Sequence, residues 1–140
     1  MSKEPGIYRS QIYYMKQLTQ VYEFHKAFNH PIQTEPRWPE GIRCELRQNL
    51  VAEEADEFFK AVDERNMTET ADAICDLMYV ILGAALEFGL GSRLELMFDE
   101  VHRSNMSKLG EGGKPVYRED GKSLKGPNFS PPDLKTILES

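Results

Sequence analysis

Glu53, Glu54 and Glu57 stand in an E-E-x-x-E pattern. On a helix, Glu53 and Glu57 are one turn apart and Glu54 and Glu57 three residues apart, so all three carboxylates project into one sector. Like charges at those spacings repel by roughly 0.2–0.5 kcal/mol per pair, which a solvated acidic face tolerates. A second acidic pair changes the reading. Asp72 and Asp76 lie four apart, hence on one face, and Asp76 is embedded in the apolar run ICDLMYVIL. Burying an unpaired carboxylate costs several kcal/mol unless a cation, a strong donor or water reaches it. From Ala61 to Glu87 the chain has one base, Arg65, against Asp63, Glu64, Glu69, Asp72, Asp76 and Glu87. A divalent cation bridging the two acidic sets would offset both repulsions at once. Hard oxygen ligands of this kind select Mg²⁺, Mn²⁺ or Ca²⁺ over zinc.

Carboxylate-rich helices also hold di-iron centres, but these use paired Glu-x-x-His motifs. The nearest spacing here is Asp99-x-x-His102, and His25 and His30 fall at the end of the first helix, away from the acid-rich ones. His102 therefore reads as a helix-surface or interface histidine.

The elements that must position these acids follow from apolar periodicity. Ile12, Met15, Leu18, Tyr22 and Phe28 mark a first helix over 8–28. The stretch from Asn29 to Pro39 holds three prolines and Trp38, and reads as a rigid loop. A second helix, 40–65, carries Ile42, Leu46, Leu50, Phe58 and Val62 on its apolar side, and a third begins at Thr68 and stops at Gly89 or Gly91. Ser92 offers a cap for a fourth helix, 93–109, with Leu94, Met97, Phe98, Val101 and Met106 as its inner stripe. No stretch alternates as a strand does. Residues 110–132 hold five glycines and four prolines, so 110–140 reads as an extended tail, with one short helical turn in DLKTILES.

The expected architecture is all-α: about four main helices and the tail, in a single domain spanning 1–140. With 140 residues, 40% hydrophobic content and a net charge of -6, the chain can bury a core without disulfides or a structural metal. Cys44 and Cys75 have no metal-ligand spacing, which favours a reducing, cytoplasmic setting. The N-terminus lacks the apolar core of a signal peptide, and no run reaches the ~18 residues of a membrane span. The acidic balance argues against a nucleic-acid partner, although Lys108 to Lys125 contains five bases against three acids.

EExxE on one helix, the pair in DAICDLMYV on the next, and EVHRSNMSK before a Lys-rich loop together resemble the MazG-like branch of the all-α nucleoside triphosphate pyrophosphatases, over about 40–133. The resemblance implies Mg²⁺-dependent hydrolysis between the α and β phosphates, releasing a monophosphate and pyrophosphate. It places Glu53, Glu54, Glu57 and Asp76 in the metal set. The usual second motif, Glu-x-x-Asp, would put an acid at 73, where this chain has Ala73. Asp72 can stand in for it, or Glu69-x-x-Asp72 is the literal match one turn away. Glu53 or Glu54, whichever is free of ligation, would orient or deprotonate the attacking water. Asn105 and Lys108 match positions near the phosphates, and Lys114, Arg118, Lys122 and Lys125 supply further charge, Lys122 foremost.

The tail resembles that of relatives favouring dUTP and related deoxynucleotides. Trp38, Gln48 and Tyr79 are candidates for base recognition, with packing as the ordinary alternative for each. Trp38, Met78 and Tyr79 are bulky enough to wall off a purine, and Gln48 or Asn49 offers an amide to read a base edge. Apolar stripes on several helix faces point to a homodimer or a homotetramer built as a dimer of dimers. Two other functions stand beside this one: a phosphoribosyl-ATP pyrophosphohydrolase, and a non-enzymatic helical interaction module whose acids are merely surface.

Overall fold

The computed structural model describes residues 15–140; Ile12 and the expected start of the first helix lie outside the described residues. The chain divides into two compact units, one through Ser92 and one from Arg93 to Ser140. Helices are α1 (Lys16–Ala27), α2 (Arg43–Asp63), α3 (Met67–Glu87), α4 (Leu94–Met106) and the short α5 (Leu134–Leu138). The described residues contain no strand, only an isolated bridge between Tyr117 and Ser123. The all-α expectation holds. None of these helices by itself is long and apolar enough to cross a membrane.

In the first unit α3 packs against both α2 and α1. Leu18 and Val21 of α1, Ala61 of α2, and Ala73, Leu82, Ala85 and Leu86 of α3 form its core. The link between α2 and α3 sets their register. Arg65 takes a left-handed conformation (φ 57°), its N–H bonds the Val62 carbonyl at 3.1 Å and the Asn66 N–H reaches back to Ala61 at 3.0 Å. That is a Schellman closure. Asn66 then caps α3, its side-chain oxygen accepting the Glu69 N–H at 3.1 Å. A link this short makes α2 and α3 antiparallel neighbours. With equal rise per residue, positions equidistant from Arg65 come level. Glu54 and Asp76 are each eleven residues from it, Arg47 and Gly83 eighteen, and Arg43 and Glu87 twenty-two.

A second Schellman closure ends α3. Gly89 (φ +72°) occupies the left-handed position, and the Leu90 N–H returns to the Ala85 carbonyl at 2.8 Å. A Cβ at Gly89 would run into the Glu35 carbonyl, so glycine is required twice over, for conformation and for space. The proline-rich segment passes this helix end, with the Gln33 N–H bonding the Leu86 carbonyl and the Arg37 N–H that of Phe88.

The second unit contains α4 and the tail. Glu100 binds Arg103 through both carboxylate oxygens and also accepts the Asp133 N–H. These donors hold its carboxyl down at about 2. Ser107 and Ser130 bond each other, Gly126 donates to the Lys108 carbonyl, and Asp133 caps α5. The tail is therefore looped and fastened by polar contacts.

Two expectations need correction. Ser92 is not the cap of α4. A 3₁₀ turn, Gly91–Arg93, leads into that helix, and the N-cap position is Arg93, without a capping side-chain bond. Of the α4 stripe Met97 is buried, but Phe98 and Met106 are exposed at 67% and 52%, because α5 and the tail cover only part of the helix. On α3, Ile74, Met78 and Ile81 are likewise exposed, so its apolar run supplies one packed face and one open face.

Candidate active site

Level positions on the α2–α3 hairpin bring acids from both helices together. One carboxylate oxygen from each of Glu54, Glu57 and Asp76 lies within 4.8 Å of the other two. Glu54 and Asp76 are half-buried and Glu57 is exposed. Asp72, one turn before Asp76, is exposed, and its charge reaches Asp76. Glu53 is exposed at the edge of the cluster, where its charge reaches Glu54. Glu69 instead lines a shallow depression with Glu57, Lys60, Ala61 and Glu64. Ala73, at the position of the missing acid, is buried at 2% exposure.

The electrostatics of the cluster are unfavourable without a cation. Partial burial, then Glu57, Asp76 and Glu53, raise the Glu54 carboxyl above its ordinary value. Partial burial, then Asp72 and Glu57, do the same to Asp76. No ion pair among the described residues includes Glu54, Glu57 or Asp76, and the buried Glu54 Oε2 accepts no hydrogen bond. An orphaned buried acceptor among converging carboxylates fits a hard divalent ion, which takes oxygen ligands at about 2.0–2.6 Å.

A pH dependence follows. Raised carboxyls mean that the folded, metal-free protein holds protons the unfolded chain has released, so these groups make stability fall as pH rises from about 4 through their folded values, then level off. Chelated wild type, compared with Asp76→Asn in urea melts from pH 4 to 7, should lose stability relative to the variant across that window. A wild type that gains relative to Asp76→Asn would contradict the repulsion.

Beside the acids lies an open cavity of about 270 Å³ whose lining includes Phe24, His30, Leu50, Tyr79, Glu54 and Asp76. Its lining also includes Arg47, part of a buried ion network invisible to local spacing. Glu87, 0% exposed, is bound by Arg43 through Nε at 2.9 Å and Nη2 at 2.6 Å, and by Arg47 Nη1 at 3.2 Å. Arg47, 5% exposed, also donates from Nη2 to the Val80 carbonyl at 2.7 Å. His25 is buried next to it. Desolvation, with Arg47 and His30 adding to it, lowers its pKa, so the ring is neutral at physiological pH, and Nδ1 is assigned as donor to the Pro31 carbonyl at 3.1 Å.

The expected base-recognition residues separate. Tyr79 lines the cavity. Trp38 is 77% exposed and rests edge-on against Phe88. Gln48 is exposed on a different groove with Cys44, Val51, Ala84 and Phe88. Asn105, Lys108, Arg118 and Lys122 all belong to the second unit. Asn105 and Lys122 are exposed and Lys108 is half-buried. Arg118 is engaged with Asp120 at 2.7 Å, and the Lys122 N–H bonds the same carboxylate.

Residues 21–105 match the family model described as phosphoribosyl-ATP pyrophosphohydrolase. The chain is 28% identical over 114 residues to the uncharacterized protein L479 of Acanthamoeba polyphaga mimivirus; the match covers 75% of this chain and 45% of that protein, so the chain spans about half the length of this relative. A crystal structure from Exiguobacterium sp. 255-15, assigned provisionally as an NTP pyrophosphohydrolase, is 28% identical, with 89% of this chain and 92% of that chain covered and a TM-score of 0.31. A TM-score that low does not establish a shared arrangement of helices.

Proposed function

The chain belongs to the phosphoribosyl-ATP pyrophosphohydrolase family, and from that premise we propose that it is a Mg²⁺-dependent nucleoside triphosphate pyrophosphohydrolase. It cleaves between the α and β phosphates, yielding a nucleoside monophosphate and pyrophosphate. The observation that carries this reading is the convergence of Glu54, Glu57 and Asp76 from two helices inside the matched segment. Those three would hold the cation, Mg²⁺ or Mn²⁺, with Asp72 supporting Asp76. A bound cation supplies charge neutralisation on the phosphates and a more acidic water. Glu53, beside the cluster and exposed to solvent, orients that water or takes its proton. Asn105, Lys108, Arg118 and Lys122 serve the phosphates; for Arg118 this means exchanging Asp120 for substrate.

The preferred substrate in this proposal is dUTP or another pyrimidine deoxynucleotide, based on the resemblance of HRSNMSK and the tail to relatives with that preference. The exposed apolar side chains Ile74, Met78 and Ile81 on α3 and Phe98 and Met106 on α4 support a homodimer or homotetramer; in this proposal the acidic balance speaks against a nucleic-acid partner, and the two cysteines without disulfide or metal spacing support a cytoplasmic enzyme. The family description itself favours a second reading, phosphoribosyl-ATP as substrate.

One experiment separates these readings: pyrophosphate release from dUTP, the eight common nucleotides and phosphoribosyl-ATP, with Mg²⁺ and with chelator. Release from dUTP at the highest rate, abolished by chelation, is the expected result. Fastest release from phosphoribosyl-ATP would select the second reading, and no release from any substrate would leave an interaction module. The same samples should melt higher with Mg²⁺, since ligand at a hundred times its Kd stabilises by about 2.7 kcal/mol.

A further inference from the structure

Three buried side-chain polar atoms of the first unit, His30 Nδ1, Arg47 Nε and Glu54 Oε2, have no hydrogen-bond partner within the protein. All three belong to residues lining one and the same cavity, beside the carboxylates. Buried polar atoms in folded proteins are overwhelmingly paired; Glu54 Oε2 is accounted for by the proposed cation, and the other two orphans, lining the same void, mark a place where a ligand's polar edge completes the bonding. Arg47 cannot swing away to find another partner, because Glu87 and the Val80 carbonyl fix its Nη groups.

The rest of the lining is apolar and aromatic. Phe24 and Tyr79 meet edge to face, with centroids 5.6 Å apart at 83°, and Leu50 and Val80 complete the wall. At about 270 Å³ the space falls below the roughly 300–1,000 Å³ of pockets that enclose whole drug-sized ligands. One planar ring system fits, with any attached groups left outside. The end lined by Glu54 and Asp76 is where a triphosphate would sit.

We propose that this cavity is the nucleobase site, with Phe24 and Tyr79 packed against the ring and His30 reading its hydrogen-bonding edge. The inference rests on the pyrophosphohydrolase reading, because phosphates at the carboxylates are what carry a base to this position. Arg47 Nε can only donate, so its counterpart is an acceptor on the ring. Uracil, thymine, cytosine and guanine present a carbonyl oxygen on the six-membered ring; adenine presents only ring nitrogens as acceptors, with a donating amino group where uracil has its O4. A donor placed for a carbonyl oxygen faces the amino group of adenine instead, donor against donor, and a site built to hydrogen-bond one substrate group discriminates against analogues that present the opposite one.

The test is binding to the full chain in Mg²⁺, measured by calorimetry with the non-hydrolysable α,β-imido analogues of dUTP and dATP and with inorganic tripolyphosphate. Wild type should bind the dUTP analogue at least tenfold more tightly than the dATP analogue. His30→Phe and Tyr79→Leu should each weaken the dUTP analogue at least tenfold, narrow the gap to the dATP analogue, and leave tripolyphosphate within twofold. Melting curves identify a variant that does not fold. For that case the unmodified protein gives a second measurement: the His30 ring resonances should shift with the dUTP analogue and stay put with tripolyphosphate. The proposal is overturned if the folded variants weaken all three ligands alike or none, if wild type binds the dUTP analogue no better than tripolyphosphate, or if the His30 signals ignore the nucleotide. Base-dependent binding without pyrophosphate release from any nucleotide would retain the base site and reject the hydrolytic reading alone.

Discussion

Glu57→Gln and Asp76→Asn should each lower kcat by about 10²–10⁴-fold, roughly 3–5 kcal/mol of transition-state stabilisation, while the protein stays folded. Both swaps keep the size of the side chain and remove a charge from the set whose oxygens lie within 4.8 Å. A cation held by two carboxylates in place of three binds more weakly and withdraws less charge from the phosphates. The fold should survive because neither side chain belongs to the core, and the metal-free melting temperature should hold or rise, since Asp76 and Glu54 are destabilised by their acidic neighbours. Steady-state kinetics at saturating Mg²⁺, paired with circular-dichroism melts, check both halves. Glu53→Gln should also slow turnover but leave the metal affinity near that of wild type. If Glu57→Gln and Asp76→Asn both turn over within tenfold of wild type at saturating metal, the cluster is not the metal site.

The largest loss of stability should come from the far end of the same hairpin. Glu87→Ala strands two guanidinium groups, one of them 5% exposed, and removing one partner of a buried ion pair costs about 3–5 kcal/mol. Arg47→Ala should cost a similar amount, because it deprives Glu87 of a partner and empties packed space beside His25. Arg43→Ala should cost less, its side chain being 27% exposed and its loss leaving Glu87 bound to Arg47. Replacing Arg43, Arg47 and Glu87 together by Leu, Met and Leu separates the worth of the network from the penalty of leaving it half-made. If the triple variant recovers most of what Glu87→Ala loses in urea melts, the network costs nearly as much to desolvate as it returns. A Glu87→Ala variant within about 1 kcal/mol of wild type would mean that water reaches the arginines.

The helices were legible in the sequence where apolar spacing and punctuation agree, as they do at the end of α1 and at both ends of α3, while the start of α4 at Arg93 was misread because Ser92 looks like a cap. Asn66 both breaks α2 and caps α3, Pro31 follows the end of α1, and Gly89 closes α3. The acids of the candidate site were legible for the same reason, since E-E-x-x-E and Asp72/Asp76 are local patterns. What local spacing cannot show is pairing across the hairpin. A search for bases between Ala61 and Glu87 finds Arg65, yet the partners of Glu87 lie 44 and 40 residues back in α2. The signal was present, because folding the chain at Arg65 puts Arg43 opposite Glu87 and Arg47 opposite Gly83. In the sequence His25 and His30 read only as residues at a helix end; the packing of α1 on α3 is what places them in the cavity lining. The exposure of Phe98 and Met106 was not legible, because a periodic stripe says which side is apolar and not how much of it a neighbour covers.

Gly83 carries a consequence for how this sequence can change over generations. A Cβ there would collide with the Arg47 guanidinium and press on His25 Nε2 at 3.0 Å, and Arg47 has no slack because Glu87 and Val80 hold it. Alanine, the mildest of replacements and a better helix former than glycine, is thus harmful at 83 while arginine occupies 47, and becomes acceptable once a shorter residue stands there. The shorter residue is itself harmful while Glu87 remains charged. Positions 47, 83 and 87 form a locked combination in which each sensible single step leads downhill, so drift at these sites requires coordinated replacements and neutral wandering is confined to the rest of the hairpin.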